Sequence, residues 1–519
     1  MTHCNSTVLA KTLAVVLATA GTALAEVKPA GHAGALHVMW GDEGIDLLKT
    51  TAERRVHRLA YDRDILKFDA PWEGDGCSFP CLIADEDEKG SLYRLYYTCW
   101  SVTDFCVGKK GAKVRAAYME SRDGVNWVRP ELGQVEFQGS KRNNLLDCGE
   151  CNYFFKDTNP NCPPDERYKA TTAVPGPKGA DGRTDWSLQA YVSADGMNFR
   201  KGGVLLKGND PYMKFDTVNV VFYDNLKDVY RAYVRGLHDQ TDKSLFSCYL
   251  KYIRTNFVSE SKDFKVWSKP VPLRYQADAE DVNIYTPATL PYFRDPSLYV
   301  GLPTRYLERR EWNDNFDNLP SPERRRARMK TGEGPRYGMA VTDTVFMFSR
   351  NGIDFERSEE AILTPGPETD PRAWVYGSCY PSIRPVLIDE GRGTDRLMAF
   401  FQPDGHWFGK PKILRRFTLR QDGFASRHAG ARERKVVTTP VVCDGGGLFI
   451  NFATSARGHV SVTVKGPEGV TLRSCELFGD RVDRRVRLEG GDLAALRGRC
   501  VTLEFALLDA DLYAYRFAD

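Results

Sequence analysis

Short apolar runs alternate with polar turns along most of the chain, and one arrangement of them recurs. An apolar strand runs into an Asp-led turn, and a second strand restarts on an aromatic or basic residue. The segments are CLIADEDEKGSLYRLYY around Asp85, YFFKDTNPNCPPDERYKATT around Asp157, VVFYDNLKDVYRAYV around Asp224, LPYFRDPSLYVGL around Asp295 and PVLIDEGRGTDRLMAFF around Asp389. A second signal, Ser-x-Asp/Asn-Gly-x-x-Trp/Phe, follows in the same order at Ser121–Trp127, Ser193–Phe199 and Ser349–Phe355. Ser261–Trp267 keeps that frame with Phe264 in place of Gly, and Asp422-Gly423 is a degenerate fifth copy.

Each unit therefore reads as two hairpins. Asp bonds its own backbone in a turn and Gly tolerates positive φ. The aromatic after the second turn starts an outer strand that packs between neighbouring units. A four-stranded sheet repeated about every seventy residues cannot bury both faces alone, and radial repetition solves that problem. The expected fold is all-β: a five-bladed β-propeller followed by a small β-sandwich. Unrelated hairpins in one large sandwich would not repeat two separate signals in one order.

The units divide the chain. Residues 1–25 read as a signal peptide, 26–60 as a linker and a short helical or mixed lead-in, and 61–430 as the propeller. Blade boundaries fall near Gly133, Leu206, Pro272, Pro365 and Ala429. Residues 436–519 hold alternating strands without the Asp turn and read as the sandwich, with Cys475 and Cys500 as candidates for a bridge inside it. The fourth unit is longest because of Arg305–Arg336, which includes RYLERREWNDNFDNLPSPERRRARMK. That stretch reads either as a solvated, partly disordered loop or as a basic lid for an anionic ligand.

Composition adjusts this picture in a few places. A formal charge of +3 over 519 residues gives no basic stripe for nucleic acid. Lys11, the apolar run Thr12–Ala20 and the small-x-small site Ala23-Leu24-Ala25 predict export to the periplasm or outside the cell, with no membrane span afterwards. Of 13 cysteines, the close pairs Cys77/Cys81, Cys99/Cys106 and Cys148/Cys151 suit disulfides in an oxidising compartment. Cys148-x-x-Cys151 lacks the second pair a zinc site needs.

In a propeller the inner strands run the same way, so their leading ends share one mouth. Those ends carry Trp72, Glu73 and Asp75; Glu150 and Asn152; Asp216 and Asn219; Glu280, Asp281 and Tyr285; and Trp374 and Tyr376. Crowded carboxylates in a pocket with aromatic walls push one another's pKa values apart, giving one acid and one base or nucleophile, as glycoside hydrolysis needs. The candidate catalytic residues are Asp75, Glu73, Asp216, Glu280 and Asp281. Trp72, Asn152, Asn219, Arg235, His238, Tyr285, Arg305, Trp374 and Tyr376 are the candidate substrate-binding residues.

The runs PWEGDGCSFPCLI, SRDGVNWVRPELG with GSKRNN, DTNPNCPPDERYKA, FDTVNVVFYD with YRAYVRG, and DTVFMFSRNGIDFER resemble an exported group of glycoside-hydrolase-like proteins. That group belongs to the five-bladed superfamily of invertases, levansucrases and arabinanases (glycoside hydrolase families 32, 43, 68 and 130), and the resemblance spans roughly residues 36–519. It implies a base or nucleophile at Asp75 or Glu73, a transition-state-stabilising Asp216 and an acid at Glu280 or Asp281. It implies no required cofactor, though a structural calcium ion in the channel fits the superfamily. The invertase-type Asn-Asp-Pro-Asn block is absent. Arg294-Asp295-Pro296 and Glu150-Cys151 imitate superfamily motifs, but the repeat puts Asp295 on a blade turn and Glu150 ahead of the Arg-Asp-Pro it should follow, so both are set aside. The expected activity is cleavage of a plant or algal polysaccharide or oligosaccharide, with a carbohydrate substrate of neutral or anionic kind. A non-catalytic carbohydrate-binding propeller and a phosphorylase of the family 130 type are the alternatives, the last requiring Arg235, Arg305 and His238 to hold phosphate.

Overall fold

A computed structural model describes residues 34–106, 113–178, 184–208, 212–239, 252–309, 311–330, 336–405 and 411–519. The expected signal peptide, residues 1–25, lies outside them. Five antiparallel sheets stand around one axis, each beginning with its innermost strand. Blade one is built from Ser78–Asp87, Gly90–Cys99, Arg115–Ser121 and Trp127–Val128, and blade two from Tyr153–Lys156, Tyr168–Lys178, Thr184–Ser193 and Arg200–Lys207. Val220–Asp224, Val229–Asp239, Tyr252–Ser261 and Val271–Pro272 make blade three. Blade four contains Thr289–Pro291, a second strand interrupted between Tyr299–Gly301 and Thr304–Glu308, then Ala340–Ser349 and Asp354–Leu363. Blade five holds Val386–Ile388, Leu397–Asp404, Ile413–Arg420 and, as its outer strand, Ala60–Lys67.

The two sequence signals turn out to be seams between blades. At the end of the inner strand in blades one to three the repeated Asp is buried and accepts a tyrosine hydroxyl from the second strand of the next blade. Tyr168 donates to Asp85, Tyr230 to Asp157 at 2.8 Å and Tyr299 to Asp224. A cation on the blade's own second strand completes two of these sites, Arg94 to Asp85 at 2.9 Å and Lys169 to Asp157 at 2.6 Å. This is why the second strand restarts on an aromatic or basic residue. In the Ser-x-Asp-Gly signal, Ser121 Oγ accepts from Gly124 N, and Asp123 accepts from the amides of Val125 and Asn126. The fourth position is left-handed in the four full copies, including Phe264 at φ 64°. Its carbonyl is latched from the preceding blade: Tyr96 donates to Gly196 O and Tyr233 to Gly352 O, each at 2.9 Å. Aromatic pairs fill the space between sheets, with Tyr96 stacked on Phe154 at 4.3 Å and Trp127 edge-on to Phe401 at 5.4 Å.

The ring closes differently from the expected order. Ala425–Ala429, which follows the degenerate Asp422-Gly423 turn, leaves blade five for the C-terminal sheet, and Ala60–Lys67 pairs with Ile413–Arg420 in its place. Closing the last blade with a strand from the start of the chain removes the free edges of an open ring. The lead-in is likewise not helical: His37–Val38 and Glu53–Val56 are strands of the C-terminal unit.

That unit rests on two 19-residue strands, Gly447–Lys465 and Cys500–Ala518, paired along their length with a register break between Thr454 and His459. Alternate residues on each side of the break, among them Ile450, Phe452, Val462, Leu503, Phe505 and Phe517, bury one apolar core. Trp40 joins the unit to the propeller. Its ring lies among Tyr292, Phe346, Phe348 and Phe424, and its Nε1 donates to Asp422 O at 2.7 Å.

Two expectations change here. Cys77, Cys81, Cys148, Cys151, Cys475 and Cys500 are free thiols, so the proposed bridges among them are not formed. The side chains of Cys4, Cys106 and Cys248 lie outside the described residues. The Arg305–Arg336 insert, where described, is no solvated loop: it forms the helices Asn315–Asn318 and Pro322–Met329. Arg325 is buried and donates to Pro320 O and Trp374 O, which binds the insert to blade five; Arg328 reaches Thr103 Oγ1 of blade one at 3.4 Å. Burial pushes the Arg325 guanidinium down to about 10. These two arginines serve the insert's own packing.

Two outcomes follow from the seams. Tyr230→Phe removes one hydrogen bond to a buried charged group and lowers the unfolding free energy by about 1.5–3 kcal/mol in chemical denaturation. Burial opposes ionisation of Asp85, but the bonds from Lys156 and Tyr168 outweigh it, so its pKa lies below the ordinary 3.8. Its contribution to stability is therefore complete above that value and lost as pH falls through the lower, folded one, so acid unfolding of Asp85→Asn shows a shallower pH dependence.

Candidate functional site

The leading ends of all five inner strands meet around a cavity of ≈ 210 Å³. Its wall takes Ser78, Phe79, Thr98, Trp100 and Val114 from blade one, and Glu150, Asn152, Thr172, Ala173 and Trp186 from blade two. Asp216 of blade three, Tyr285 of blade four, and Tyr376 and Tyr380 of blade five complete it. Two carboxylates, Glu150 and Asp216, thus face a space walled largely by aromatic rings.

Asp216 enters from the loop before Val220–Asp224, and Arg235 at the far end of the adjoining strand pairs with it. Arg235 is almost wholly buried and also lies 5.6 Å from the centre of the Tyr285 ring. Asn219 fixes the loop: its Nδ2 donates to the carbonyls of Phe215 and Thr217 at 2.8 Å each, and its Oδ1 accepts from Arg235 N. Asn152 Nδ2 donates to Thr217 O at 3.3 Å, joining the leading ends of blades two and three. Glu150 keeps solvent contact through the mouth, yet the protein around it removes part of its hydration. That desolvation raises its pKa above the usual glutamate range, with Lys113 partly opposing the rise. On the other wall Tyr376 Oη lies 3.4 Å from Tyr285 Oη, and Phe79 stacks on Tyr380 at 5.4 Å.

Of the residues singled out from the sequence, Asp216, Asn152, Tyr285 and Tyr376 line the cavity, and Arg235 holds Asp216 from behind. Glu73 and Asp75 do not. Glu73 is fully buried, accepting from Ala70 N, Tyr97 Oη and the Arg129 guanidinium, so it is spent on the structure of blade one. Asp75 accepts from Val102 N at 2.7 Å and Thr103 Oγ1 at 2.6 Å, where it caps the short helix Val102–Cys106. The glycines around them have a different use. A Cβ on Gly74 would lie 2.3 Å from Trp100 O, and one on Gly76 would lie 2.1 Å from the Trp100 ring. The Trp-Glu-Gly-Asp-Gly run is therefore the seat of Trp100, which faces the cavity.

Glu280, Asp281 and His238 lie elsewhere, in a separate cavity of ≈ 550 Å³ between blades three and four. His238 Nε2 sits 3.0 Å from Asp281 Oδ1, and that hydrogen bond raises the histidine's pKa. Arg305 is held by both oxygens of Asp343, at 2.9 and 2.7 Å. Trp72 donates to Asn144 Oδ1 at 2.6 Å, and Trp374 donates to Gly366 O at 2.8 Å while packing against the insert. Asp295 sits on its blade turn, accepting from Ser297 and Leu36 N, as the repeat predicts. Glu150, set aside for its order relative to Arg-Asp-Pro, does line the cavity. It stands just before the inner strand of blade two, at the leading end where the repeat places mouth residues. Among the described residues no group of three or more His, Cys, Asp or Glu side chains is arranged to hold a metal ion.

The sequence matches no protein-family model and no curated protein. Among solved structures, the chain is similar to an N-acetylgalactosamine deacetylase from F. plautii, at 12% identity over 70% of this chain and 95% of that one, with a TM-score of 0.40. It is similar to the Bombyx mori GH32 beta-fructofuranosidase at 10% identity over 89% and 94%, with a TM-score of 0.40. It is also similar to the GH93 alpha-L-arabinofuranosidase of Fusarium graminearum, at 12% identity over 70% and 98% with a TM-score of 0.36. Likeness at this level says nothing about chemistry.

The assignment of Glu73 to structure has a direct check. Glu73→Gln leaves Arg129 without its counter-charge and costs about 2–4 kcal/mol of unfolding free energy, toward the lower end because Arg129 stays partly solvated.

Proposed function

We propose that the protein hydrolyses glycosidic bonds at the propeller mouth, with Glu150 as general acid and Asp216 as the partner carboxylate. The observation that carries this reading is the pairing of two carboxylates in unlike surroundings inside one aromatic-walled cavity. A glutamic acid whose pKa is raised by desolvation can hold its proton until the glycosidic oxygen needs it. Asp216, positioned by Arg235, supplies negative charge to the oxocarbenium-like centre or to an attacking water. Trp100, Trp186 and Tyr285 offer flat apolar faces for the C–H side of a sugar ring.

Hydrolysis is favoured over phosphorolysis by the state of the cations. Arg235 is held by Asp216, Arg305 by Asp343 and His238 by Asp281, and the last two lie away from the cavity-lining set. None of the three is left to grip phosphate or a uronate, which supports a neutral sugar and water as acceptor. Export of the protein, read from Lys11 and the apolar run after it, belongs to the same proposal.

Release of reducing sugar from a panel of plant and algal oligosaccharides, with and without phosphate, tests the reading. Turnover independent of phosphate is expected, and Glu150→Gln and Asp216→Asn each lower kcat by about 10²–10⁴-fold while circular dichroism is unchanged. Because the acid must be protonated, activity falls as pH rises through the elevated Glu150 pKa, and Glu150→Gln removes that alkaline limb. A panel without turnover, or with turnover only when phosphate is present, overturns the proposal.

A further inference from the structure

One residue of the cavity wall, Ser78, pairs with a buried lysine behind it, and glycosidic cleavage uses neither. Lys412 stands immediately before the third strand of blade five, is fully buried, and directs its Nζ toward blade one. There it donates to the carbonyl of Cys77 and lies 3.2 Å from Ser78 Oγ. Ser78 is the first residue of the inner strand of blade one and lines the cavity. We propose that Ser78 and Lys412 form a nucleophile–base pair able to open carboxylic esters, such as O-acyl groups carried by a sugar.

Three features of the surroundings suit that role. First, Lys412 donates no hydrogen bond to a carboxylate and forms no ion pair with one among the described residues; Cys77, Asp404 and Asp75 act on it through charge. Burial without a counter-ion disfavours the ammonium and lowers its pKa to about 8, so a neutral amine is within reach near physiological pH. Second, the residue after the serine is strained. Phe79 holds φ at 51°, in the left-handed region that a bulky side chain avoids, and the strand register shifts between Ser78 and Cys81. Such strain persists where the surrounding structure enforces it, and here it turns Ser78 and Phe79 to the same cavity. Third, the serine is fixed from behind, because Thr98 Oγ1 donates to Ser78 O at 3.1 Å. Nucleophile and base within hydrogen-bond reach beside a cavity, with the base held by the Cys77 carbonyl, is the arrangement nucleophilic acyl transfer requires.

The step balances with these two groups and water. Neutral Lys412 Nζ takes the proton from Ser78 Oγ as Oγ bonds to the ester carbonyl carbon. The carbon–oxygen bond to the alcohol breaks, and the departing alkoxide takes the proton from Nζ. Water, deprotonated by the same amine, then attacks the acyl-serine, Oγ regains the proton, and the carboxylic acid leaves. No oxidant, reductant or metal is involved. The sugar part of the substrate rests on the glycan reading above, whereas the ester chemistry does not.

The test uses the full chain with a fluorophosphonate probe and with p-nitrophenyl acetate, followed by peptide mass spectrometry. One label on the Ser78 peptide is expected, with a rate that rises toward a plateau above about pH 8. Ser78→Ala abolishes the label, and Lys412→Met slows it about 100-fold. An unlabelled Ser78 in the wild-type protein overturns the proposal, as does a rate indifferent to Lys412→Met. If Lys412→Met does not fold, the wild-type rate decides, and a flat profile between about pH 6 and 9 overturns the base assignment. Acetate release from acetylated oligosaccharides supports the sugar ester; labelling without such release overturns that part. Glycoside turnover by the same preparation is read separately, so the failure of either proposal shows without the other.

Discussion

A buried aspartate at the base of an inner strand, gripping a hydroxyl from the neighbouring sheet, holds the ring together. A single sheet of four short strands cannot bury both faces, and apolar packing alone leaves the angle between sheets loosely set. The Asp85–Tyr168, Asp157–Tyr230 and Asp224–Tyr299 bonds fix that angle at the end of the channel opposite the mouth. Each is a charge-assisted contact in a site from which water is largely excluded, where its worth exceeds that of a surface pair. The tyrosines that reach the carbonyls of Gly196 and Gly352 pin the outer half of the same seams. The relative placement of Glu150 and Asp216 on neighbouring blades depends on these distant latches.

The architecture was legible because turn chemistry and seam chemistry are the same residues. The Asp that ends an inner strand and the Tyr or basic residue that follows its turn recur in order, so a bond repeated across three seams appeared in the sequence as part of a fivefold motif. What escaped was closure. A strand such as Ala60–Lys67 carries no copy of either signal, since it completes the fifth sheet without making a seam of its own, and the stretch before it resembled a lead-in. Ala425–Ala429 followed the expected turn and looked like a fifth outer strand, but Trp40 and Asp422 turn the chain at that point into the C-terminal unit.

The site was legible in part, and the division has a physical cause. Position at the leading end of an inner strand was a sound guide for Asn152, Asp216, Tyr285 and Tyr376. It failed where a polar side chain was consumed by its own loop. Glu73 neutralises Arg129, Asp75 caps a helix, and Asn219 ties down the backbone that carries Asp216. A carboxylate in a Gly-rich loop reads the same way in sequence whether it faces solvent, substrate or a backbone amide. Glu150 was passed over for the opposite reason, because motif order was weighed above strand position.

Closure by Ala60–Lys67 also constrains how the molecule comes into being. The chain leaves the ribosome from its N-terminus, so Ala60–Lys67 emerges first and waits until Ile413–Arg420 has been made before it finds a partner. The strands at His37–Val38 and Glu53–Val56 wait longer still, for Cys500–Ala518 and Ala425–Ala429. Nascent blades therefore stack on one another as an open arc with an unpaired margin, a form prone to wrong pairing with other chains. The final fastening is a long-range pairing of early with late segments of the chain, and it waits until Cys500–Ala518 has been made.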